Sequence, residues 1–173
     1  MKNLIKIFAI LISLNFSALG SFAKADSLLK VFVFLSEKCP VCQSSTLELN
    51  RLAEKFESSQ VLFVGIFPNT DISNEQSVKD FKNKYKLNFD MQIDENQIIT
   101  NKLKATVTPQ VFVIEEISGK IIYSGKIDNS FERVGKRRKV VTEYYLDSAL
   151  ENYLNQKLIN PVLTNPVGCY ISF

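Results

Sequence analysis

Two cysteines separated by two residues, set between an apolar run and an amphipathic one, constrain the fold of this chain more than any other feature. Residues 28–35 form an apolar run that only Lys30 interrupts, which is typical of a strand buried on both faces. In residues 40–56 apolar side chains recur with a period near 3.6, which predicts a helix; they are Leu47, Leu49, Leu52, Ala53 and Phe56. Cys39 and Cys42 therefore lie where a buried strand turns into a helix.

The predicted position of Cys39 is the N-terminal end of that helix. Backbone N–H groups without partners and the helix dipole stabilise a negative charge there. Such a place lowers the pKa of a cysteine from about 8.5 to roughly 3.5–7.5. Pro40 suits the first helical position, because its fixed φ and missing N–H cost nothing there. The spacing brings the two sulfur atoms within bonding reach, with Cys39 predicted to be exposed and Cys42 one turn further in.

Three kinds of site use a cysteine pair of this kind. A structural disulfide is disfavoured, because so short a loop constrains little chain entropy. A metal site needs more than two ligands, and the sequence has neither a histidine nor a second Cys-x-x-Cys motif. The absence of histidine also excludes Ser-His-Asp and Cys-His catalysis and the usual catalytic zinc sites. The strand-to-helix position therefore favours a redox-active dithiol.

The rest of the chain alternates strand and helix patterns. Strands are predicted at 61–67, 111–115 and 120–124, with a short segment at 89–93, and helices at 74–85, 95–103 and 144–154. Residues 117–119 form a predicted hairpin turn between the last two strands. This order predicts an α/β sandwich with a mixed central sheet flanked by helices.

Residues 1–25 have the features of a cleaved secretory signal peptide. Lys2 and Lys6 precede a short apolar stretch at 7–19, and the small-x-small sequence "AKA" follows at 23–25. We expect cleavage before Asp26, with a retained membrane anchor as the alternative. The signal predicts a periplasmic or secreted protein with one domain, residues 26–173, and an extended C-terminal tail from about residue 156.

The charge of the predicted mature chain argues against a polyanionic partner. The sequence has 21 Lys and Arg against 18 Asp and Glu, and three of the lysines lie in the signal peptide. The charges of the remaining chain balance, so no nucleic acid partner is predicted. The basic run Lys136-Arg137-Arg138-Lys139 is predicted to be a solvated loop, with docking of an acidic partner or of phospholipid head groups as the alternative.

Three stretches of the chain resemble the thioredoxin-like superfamily, and within it the redoxin-domain branch. That branch holds the TlpA/ResA-type thiol-disulfide oxidoreductases and, more distantly, the AhpC/TSA-type peroxiredoxins. The stretches are "VFVFLSEKCPVC" at 31–42, "VTPQVFVI" at 107–114 and "GKIIYSGKID" at 119–128. A fourth, "FDMQIDENQIITNKLKA" at 89–105, corresponds to the insertion that separates redoxins from thioredoxin. The resemblance covers nearly the whole predicted mature chain, to about Leu154.

The resemblance implies a thioredoxin-like fold and an exported thiol-disulfide oxidoreductase, with reduction as the expected direction. Cys39 would attack the disulfide of a protein substrate, and Cys42 would resolve the mixed disulfide. Pro109 would form a cis peptide bond beside the dithiol. Residues next to Cys39 and Pro109 would contact the substrate: Pro40, Val41 and Thr108. The resemblance implies no cofactor, but it does imply an electron-donating redox partner.

Two departures from the family pattern affect the expected chemistry. Thioredoxin has a buried Asp on the strand before its dithiol, whereas the matching residue here is Val33. Glu37 or Glu48 would have to replace that acid, but both are predicted to be solvated. The strongly oxidising members carry a His between their cysteines, where this chain has Val41, so a potential nearer the reducing end is expected.

Two alternative functions follow from the same cysteines. A thiol peroxidase would need Ser or Thr three residues before its reactive cysteine and Pro seven before it; Ser36 meets the first requirement and Phe32 fails the second. A Cu(I)-binding chaperone would hold the metal through Cys39, Cys42 and a third thiol, Cys169. Copper chaperones of this fold use a longer cysteine spacing and a distant His, and this chain has neither.

Cys169 is the odd cysteine of the chain. Pro161 and Pro166 disfavour a helix before it, which predicts an extended tail laid over the domain. The apolar side chains expected to dock that tail are Val162, Leu163, Val167 and Ile171. We expect Cys169 to be shielded and separate from the catalytic pair; a cross-link to a partner or a return to Cys39 are the alternatives.

Overall fold

A computed structural model describes residues 29–173 of the chain. The predicted signal peptide, residues 1–25, lies outside the described residues. The strands are β1 (Leu29–Phe34), β2 (Val61–Phe67), β3 (Asp90–Ile93), β4 (Val107–Thr108), β5 (Gln110–Glu115), β6 (Ile121–Gly125), β7 (Phe131–Arg133), β8 (Lys136–Arg137) and β9 (Cys169–Tyr170). The helices are α1 (Pro40–Phe56), α2 (Glu75–Tyr85), α3 (Ile98–Leu103) and α4 (Tyr145–Leu154). None of these helices is long and apolar enough to cross a membrane.

Five strands form the central sheet, in the order β3-β2-β1-β5-β6. β1 pairs in parallel with β2, and β2 in parallel with β3, whereas β5 runs antiparallel to both β1 and β6. The helices α1 and α2 form the crossovers between the parallel strands, and the hairpin turn at Gly119, where φ is +68°, joins the antiparallel pair β5 and β6. The structure thus confirms the predicted α/β fold with a mixed sheet flanked by helices.

Helix α1 carries the dithiol and packs one face into the main core. Its buried residues include Val41, Leu49, Leu52 and Phe56, as the apolar period predicts. Leu47 was expected on the same stripe, but it is 81% exposed. The reason is geometric, because a residue two positions from Leu49 points about 200° away around the helix.

Helix α4 packs beside α1 and closes the core. Leu146, Ala149 and Leu150 are buried, as predicted. The Asp147 carboxylate forms ion pairs with two residues of α1, Arg51 at 2.6 Å and Lys55 at 2.5 Å. Exposed ion pairs of this type contribute about 0–1 kcal/mol each, so the apolar face supplies most of the attachment of α4.

The basic run at 136–139 lies partly in a small hairpin, where a loop was expected. β8 contains its first two residues and pairs antiparallel with β7. Lys136 lies 2.5 Å from Glu132, and Arg138 lies 3.7 Å from the same carboxylate. The side chains of the run are exposed, in agreement with the predicted solvated surface.

The C-terminal tail, residues 155–173, packs against the domain. Its first attachment is to β6: Ser124 N–H donates to Val162 O, and Thr164 N–H donates to Ser124 O, both at 3.0 Å. A Cβ on Gly125, where φ is +133°, would lie 2.2 Å from Thr164 O, so only glycine permits this approach. Val162 and Leu163 were expected to dock the tail, yet they are 58% and 63% exposed. Backbone hydrogen bonds make this attachment instead.

Candidate active site

The two cysteines of the motif lie at the start of α1, as the sequence predicts. Cys39 is the N-cap residue, with Pro40 at the first helical position. The Cys39 N–H donates to Ser36 O at 3.2 Å, and Gln43 N–H donates to Cys39 O at 3.0 Å, which fixes the turn between β1 and α1. Cys42 lies inside the first turn and is fully buried.

Cys39 was predicted to be exposed, and that prediction is wrong. Its side chain is only 1% exposed, because two other segments cover it. Its thiol can donate to Thr108 O at 3.0 Å, and the Cys169 thiol donates to Cys39 Sγ at 2.8 Å. A position at a helix end does not indicate which distant segments of the chain return to cover it; here these are β4 and β9.

Thr108 and Pro109 lie beside the dithiol, as predicted from the resemblance. The peptide bond between them is cis, and both residues are buried. Pro109 lines a small surface pocket together with Val41 and Val167. Of the six predicted site residues, only Pro40 is exposed to solvent; Cys39, Val41, Cys42, Thr108 and Pro109 are buried.

The pKa values of the two cysteines shift in opposite directions. Hydrogen bonding from the Cys42 thiol is the main cause that lowers the pKa of Cys39 from 9.0 to about 5, against the opposing effect of burial, and the Cys169 thiol adds to it. Burial, followed by the hydrogen bond to Cys39 and by the Cys39 charge, raises the pKa of Cys42 well above its usual range. At neutral pH, therefore, Cys39 is the thiolate and Cys42 holds its proton. A lowered pKa agrees with the sequence prediction, but neighbouring thiols contribute to it directly.

The third cysteine lies in the site, not apart from it as we expected. β9 pairs antiparallel with β4, which places Cys169 opposite Thr108 and Tyr170 opposite Val107. A Cβ on Gly168 would lie 2.1 Å from Thr108 O, so the tail reaches this position only because residue 168 is glycine. Cys169 is half-buried, and burial together with the Cys39 charge raises the pKa of its thiol from 9.0 to about 12.

The two candidate acids interact with groups outside the dithiol. The Glu37 carboxylate accepts hydrogen bonds from Ser77 Oγ at 2.6 Å and from Ser73 Oγ at 2.7 Å. It was expected to be solvated, but it instead ties the loop before Cys39 to the start of α2. Glu48 pairs with Arg51 at 2.6 Å on the outer part of α1. Val33, at the position of the thioredoxin acid, is fully buried.

A metal centre needs several converging donors. Within residues 29–173 no group of three or more His, Cys, Asp or Glu side chains is arranged to hold a metal ion. The three thiols instead interact through hydrogen bonds centred on Cys39, and all three are free of disulfide bonds. This arrangement can deliver a thiolate to an electrophilic sulfur atom and supply two further thiols to resolve the product.

A mixed sheet with a dithiol at the first helix and a cis-proline beside it defines a thioredoxin-like protein. The comparison with protein families assigns residues 16–140 to the redoxin family. Because the match covers well over half of the chain, the protein belongs to this family. Membership confirms the predicted class of enzyme, a thiol-disulfide oxidoreductase. The comparison with curated proteins gives no match.

Solved structures agree with this fold. An uncharacterized conserved protein from Geobacillus kaustophilus is similar with a TM-score of 0.75 and 24% identity, covering 86% of this chain and 78% of its own. A hypothetical protein from Sinorhizobium meliloti gives 0.73 and 23% identity, with coverage of 84% and 80%. A secreted disulfide oxidoreductase from Mycobacterium tuberculosis gives 0.53 and 18% identity, with coverage of 73% and 81%. At these identities the likeness concerns the fold.

Proposed function

We propose that this protein is an exported thiol-disulfide oxidoreductase that reduces protein disulfides through Cys39 and Cys42. The observation that carries the proposal is the difference in protonation state between two cysteines in one helical turn. Cys39 has a pKa of about 5 and is a thiolate at neutral pH, while the pKa of Cys42 is raised by burial. Attack requires a thiolate and resolution requires a second thiol beside it, and the pair supplies both.

The proposed reaction has two exchange steps. The Cys39 thiolate attacks a substrate disulfide, forms a Cys39–substrate bond and releases the first substrate sulfur as a thiolate. Cys42 then loses its proton and attacks Cys39 Sγ, which breaks the mixed disulfide and releases the second substrate sulfur. The substrate gains two electrons, the Cys39–Cys42 pair becomes a disulfide, and the proton from Cys42 passes to a released sulfur. A dithiol partner would restore the reduced pair.

The proposed binding site for the substrate is the edge of β4. Thr108 immediately precedes Pro109, and its carbonyl oxygen lies 3.0 Å from Cys39 Sγ. An extended polypeptide that pairs with this edge would carry its own sulfur to Cys39, and main-chain hydrogen bonds would bind it with little dependence on sequence. Pro40, Val41 and Pro109 would line its path. Because β9 occupies the edge in this structure, the tail has to move before a protein substrate can bind.

Export is part of the proposal. The N-terminal residues 1–25 have the features of a signal peptide, and a cleaved product would begin at Asp26. The secreted disulfide oxidoreductase from Mycobacterium tuberculosis is a structural neighbour with a matching compartment. An electron-donating partner would then have to reach the dithiol outside the cytoplasm.

Trapping of the mixed disulfide tests the proposal. Cys42→Ser removes the proposed resolving thiol, so this variant should accumulate covalent adducts with disulfide-containing proteins that disappear on treatment with a small dithiol. Because Cys169 could also resolve such an adduct, the trap is made in a Cys169→Ser background. The matched control is Cys39→Ser in the same background, which keeps Cys42 and should form no adduct.

The wild-type protein should also reduce insulin disulfides, and Cys39→Ser should not. Adducts that form equally in the Cys39→Ser control would contradict the assignment of Cys39. Stoichiometric copper in protein purified under reducing conditions would favour the chaperone alternative. Rapid consumption of hydrogen peroxide that depends on Cys39, without disulfide reduction, would favour the peroxidase.

A further inference from the structure

The C-terminal tail lies where the proposed function places the substrate. β9 forms the antiparallel pair with β4, and Ile171 N–H extends the ladder by donating to Thr106 O at 3.0 Å. The register sets Cys169 opposite Thr108, the residue whose carbonyl oxygen contacts Cys39. A cysteine on an extended strand therefore already lies against the attacking sulfur atom.

The chain is shaped locally for this approach. Gly168 precedes Cys169, and a Cβ there would lie 2.1 Å from the oxygen and 2.5 Å from the carbon of the Thr108 carbonyl group. Ile171 follows and is buried in a second apolar cluster with Phe34, Ile66, Ala105 and Phe112. Ser172 N–H donates to the side-chain oxygen of the buried Asn69 at 3.0 Å. These contacts bracket Cys169 on both sides and position its sulfur 2.8 Å from Cys39 Sγ.

We propose that Cys169 is a third redox-active thiol, which exchanges with the Cys39–Cys42 disulfide to form a Cys39–Cys169 disulfide. The inference rests on the proposed function, which generates the Cys39–Cys42 disulfide. In the exchange, the Cys169 sulfur attacks Cys39 Sγ, the Cys39–Cys169 bond forms, and the Cys39–Cys42 bond breaks. The proton lost by Cys169 goes to Cys42, so the step is redox-neutral and needs no further oxidant.

The consequence is a closed, protected oxidised state. In the Cys39–Cys42 disulfide, Cys39 carries no charge, so the charge repulsion that helps to keep Cys169 protonated in the reduced protein is absent. In the Cys39–Cys169 disulfide, the tail is bonded across the edge of β4 and substrates are excluded from it. Cys42, fully buried, remains as the thiol that reopens this disulfide by the reverse exchange. A reducing partner therefore encounters two disulfide isomers of one protein.

Disulfide mapping tests the inference without any substitution. The reduced protein is oxidised with glutathione disulfide, quenched in acid, alkylated in denaturant and digested. Both Cys39–Cys42 and Cys39–Cys169 peptides should be present in monomeric protein, in proportions that stay constant with time. A map that holds only Cys39–Cys42 would overturn the inference and leave the proposed function intact.

Three single variants test the Cys39–Cys169 inference and the proposed Cys39–Cys42 function separately. Cys42→Ala keeps Cys39 and Cys169 and should form an intramolecular disulfide at least tenfold faster than Cys39→Ala, which keeps Cys42 and Cys169. Cys169→Ala keeps the proposed catalytic pair. If it forms a disulfide while Cys42→Ala remains glutathionylated at Cys39, the inference fails and the proposed function stands. If Cys169→Ala forms none, the proposed function itself fails.

A variant in the tail that keeps all three cysteines gives an independent check. Gly168→Val places side-chain atoms where Thr108 O lies, so the tail should leave β4. The Cys39–Cys169 fraction should fall at least fivefold while Cys39–Cys42 still forms. Val162→Ala, at an exposed tail position, is the matched control and should leave both fractions unchanged within twofold. An unchanged fraction in Gly168→Val would contradict the role of the strand pairing.

Discussion

Replacement of Ile171 by alanine should open the active site without touching it. Cys39 is 1% exposed, and β9 is the outer of the two segments that cover it, so a reagent reaches its thiolate only when the tail opens. Ile171 is 5% exposed and leaves its apolar cluster in that opening. Removing a buried isoleucine side chain costs about 2–5 kcal/mol. Taking about 2 kcal/mol, and a factor of ten for each 1.4 kcal/mol, the open fraction should rise about 30-fold.

The assay is alkylation of the reduced protein by iodoacetamide at neutral pH, with peptide mapping of Cys39. Ile171→Ala should react about 30-fold faster than wild type. Tyr170→Ala, at a neighbouring position that is 86% exposed, should react within twofold of wild type. Equal rates for Ile171→Ala and wild type would refute the reasoning that the tail controls access. Wild-type Cys39 that reacts as fast as an exposed thiolate would refute it as well.

Three further predictions concern the thiolate and the loop before it. Hydrogen bonding from Cys42 is the main cause that lowers the pKa of Cys39, so Cys42→Ala should raise that pKa above about 5, as followed by thiolate absorbance against pH. Between about pH 5 and 9.0 the unfolded state holds the Cys39 proton and the folded state does not. The unfolding free energy of wild type, measured relative to Cys39→Ser by urea titration, should therefore rise with pH across that range. A difference between the two proteins that stays constant with pH would contradict the low pKa. Glu37→Gln weakens two hydrogen bonds from serine hydroxyls to a carboxylate, so it should lower the unfolding free energy by about 1–3 kcal/mol. Glu57→Gln, at an exposed position, is the control and should change the unfolding free energy by less than about 0.5 kcal/mol.

Local pattern was enough to predict the elements that carry the dithiol. The buried run before Cys39 and the helical period after it depend on residues close in sequence, and β1 and α1 form as predicted. The start of α2 is likewise local, since Asn74 caps it through a reciprocal hydrogen bond with Ser77. The cis bond at Pro109 was predicted from the family resemblance, because no local pattern distinguishes it from a trans bond.

The cover over the dithiol depends on long-range pairing, which the sequence pattern does not encode. β4 and β9 contain two residues each and are separated by more than sixty positions, too short and too distant for any periodicity to reveal. The apolar residues of the tail were also misleading, since Val162 and Leu163 face solvent while only Ile171 is buried. Gly168 was the one usable signal: a glycine directly before a cysteine permits the close backbone approach seen here.

The central claim, a reversible dithiol at Cys39 and Cys42, is tested most directly by a redox titration of the purified protein in thiol-disulfide buffers of graded potential. Peptide mapping at each point reports which cysteines are bonded. The Cys39 pKa of about 5 stabilises the reduced form more than in thioredoxin, whose reactive cysteine has a pKa of about 7. We therefore predict a reversible Cys39–Cys42 disulfide with a potential above the thioredoxin value of about −270 mV and below the value of about −120 mV of the strongest periplasmic oxidants. Failure of Cys39 and Cys42 to form a disulfide at any potential in that range would contradict the account.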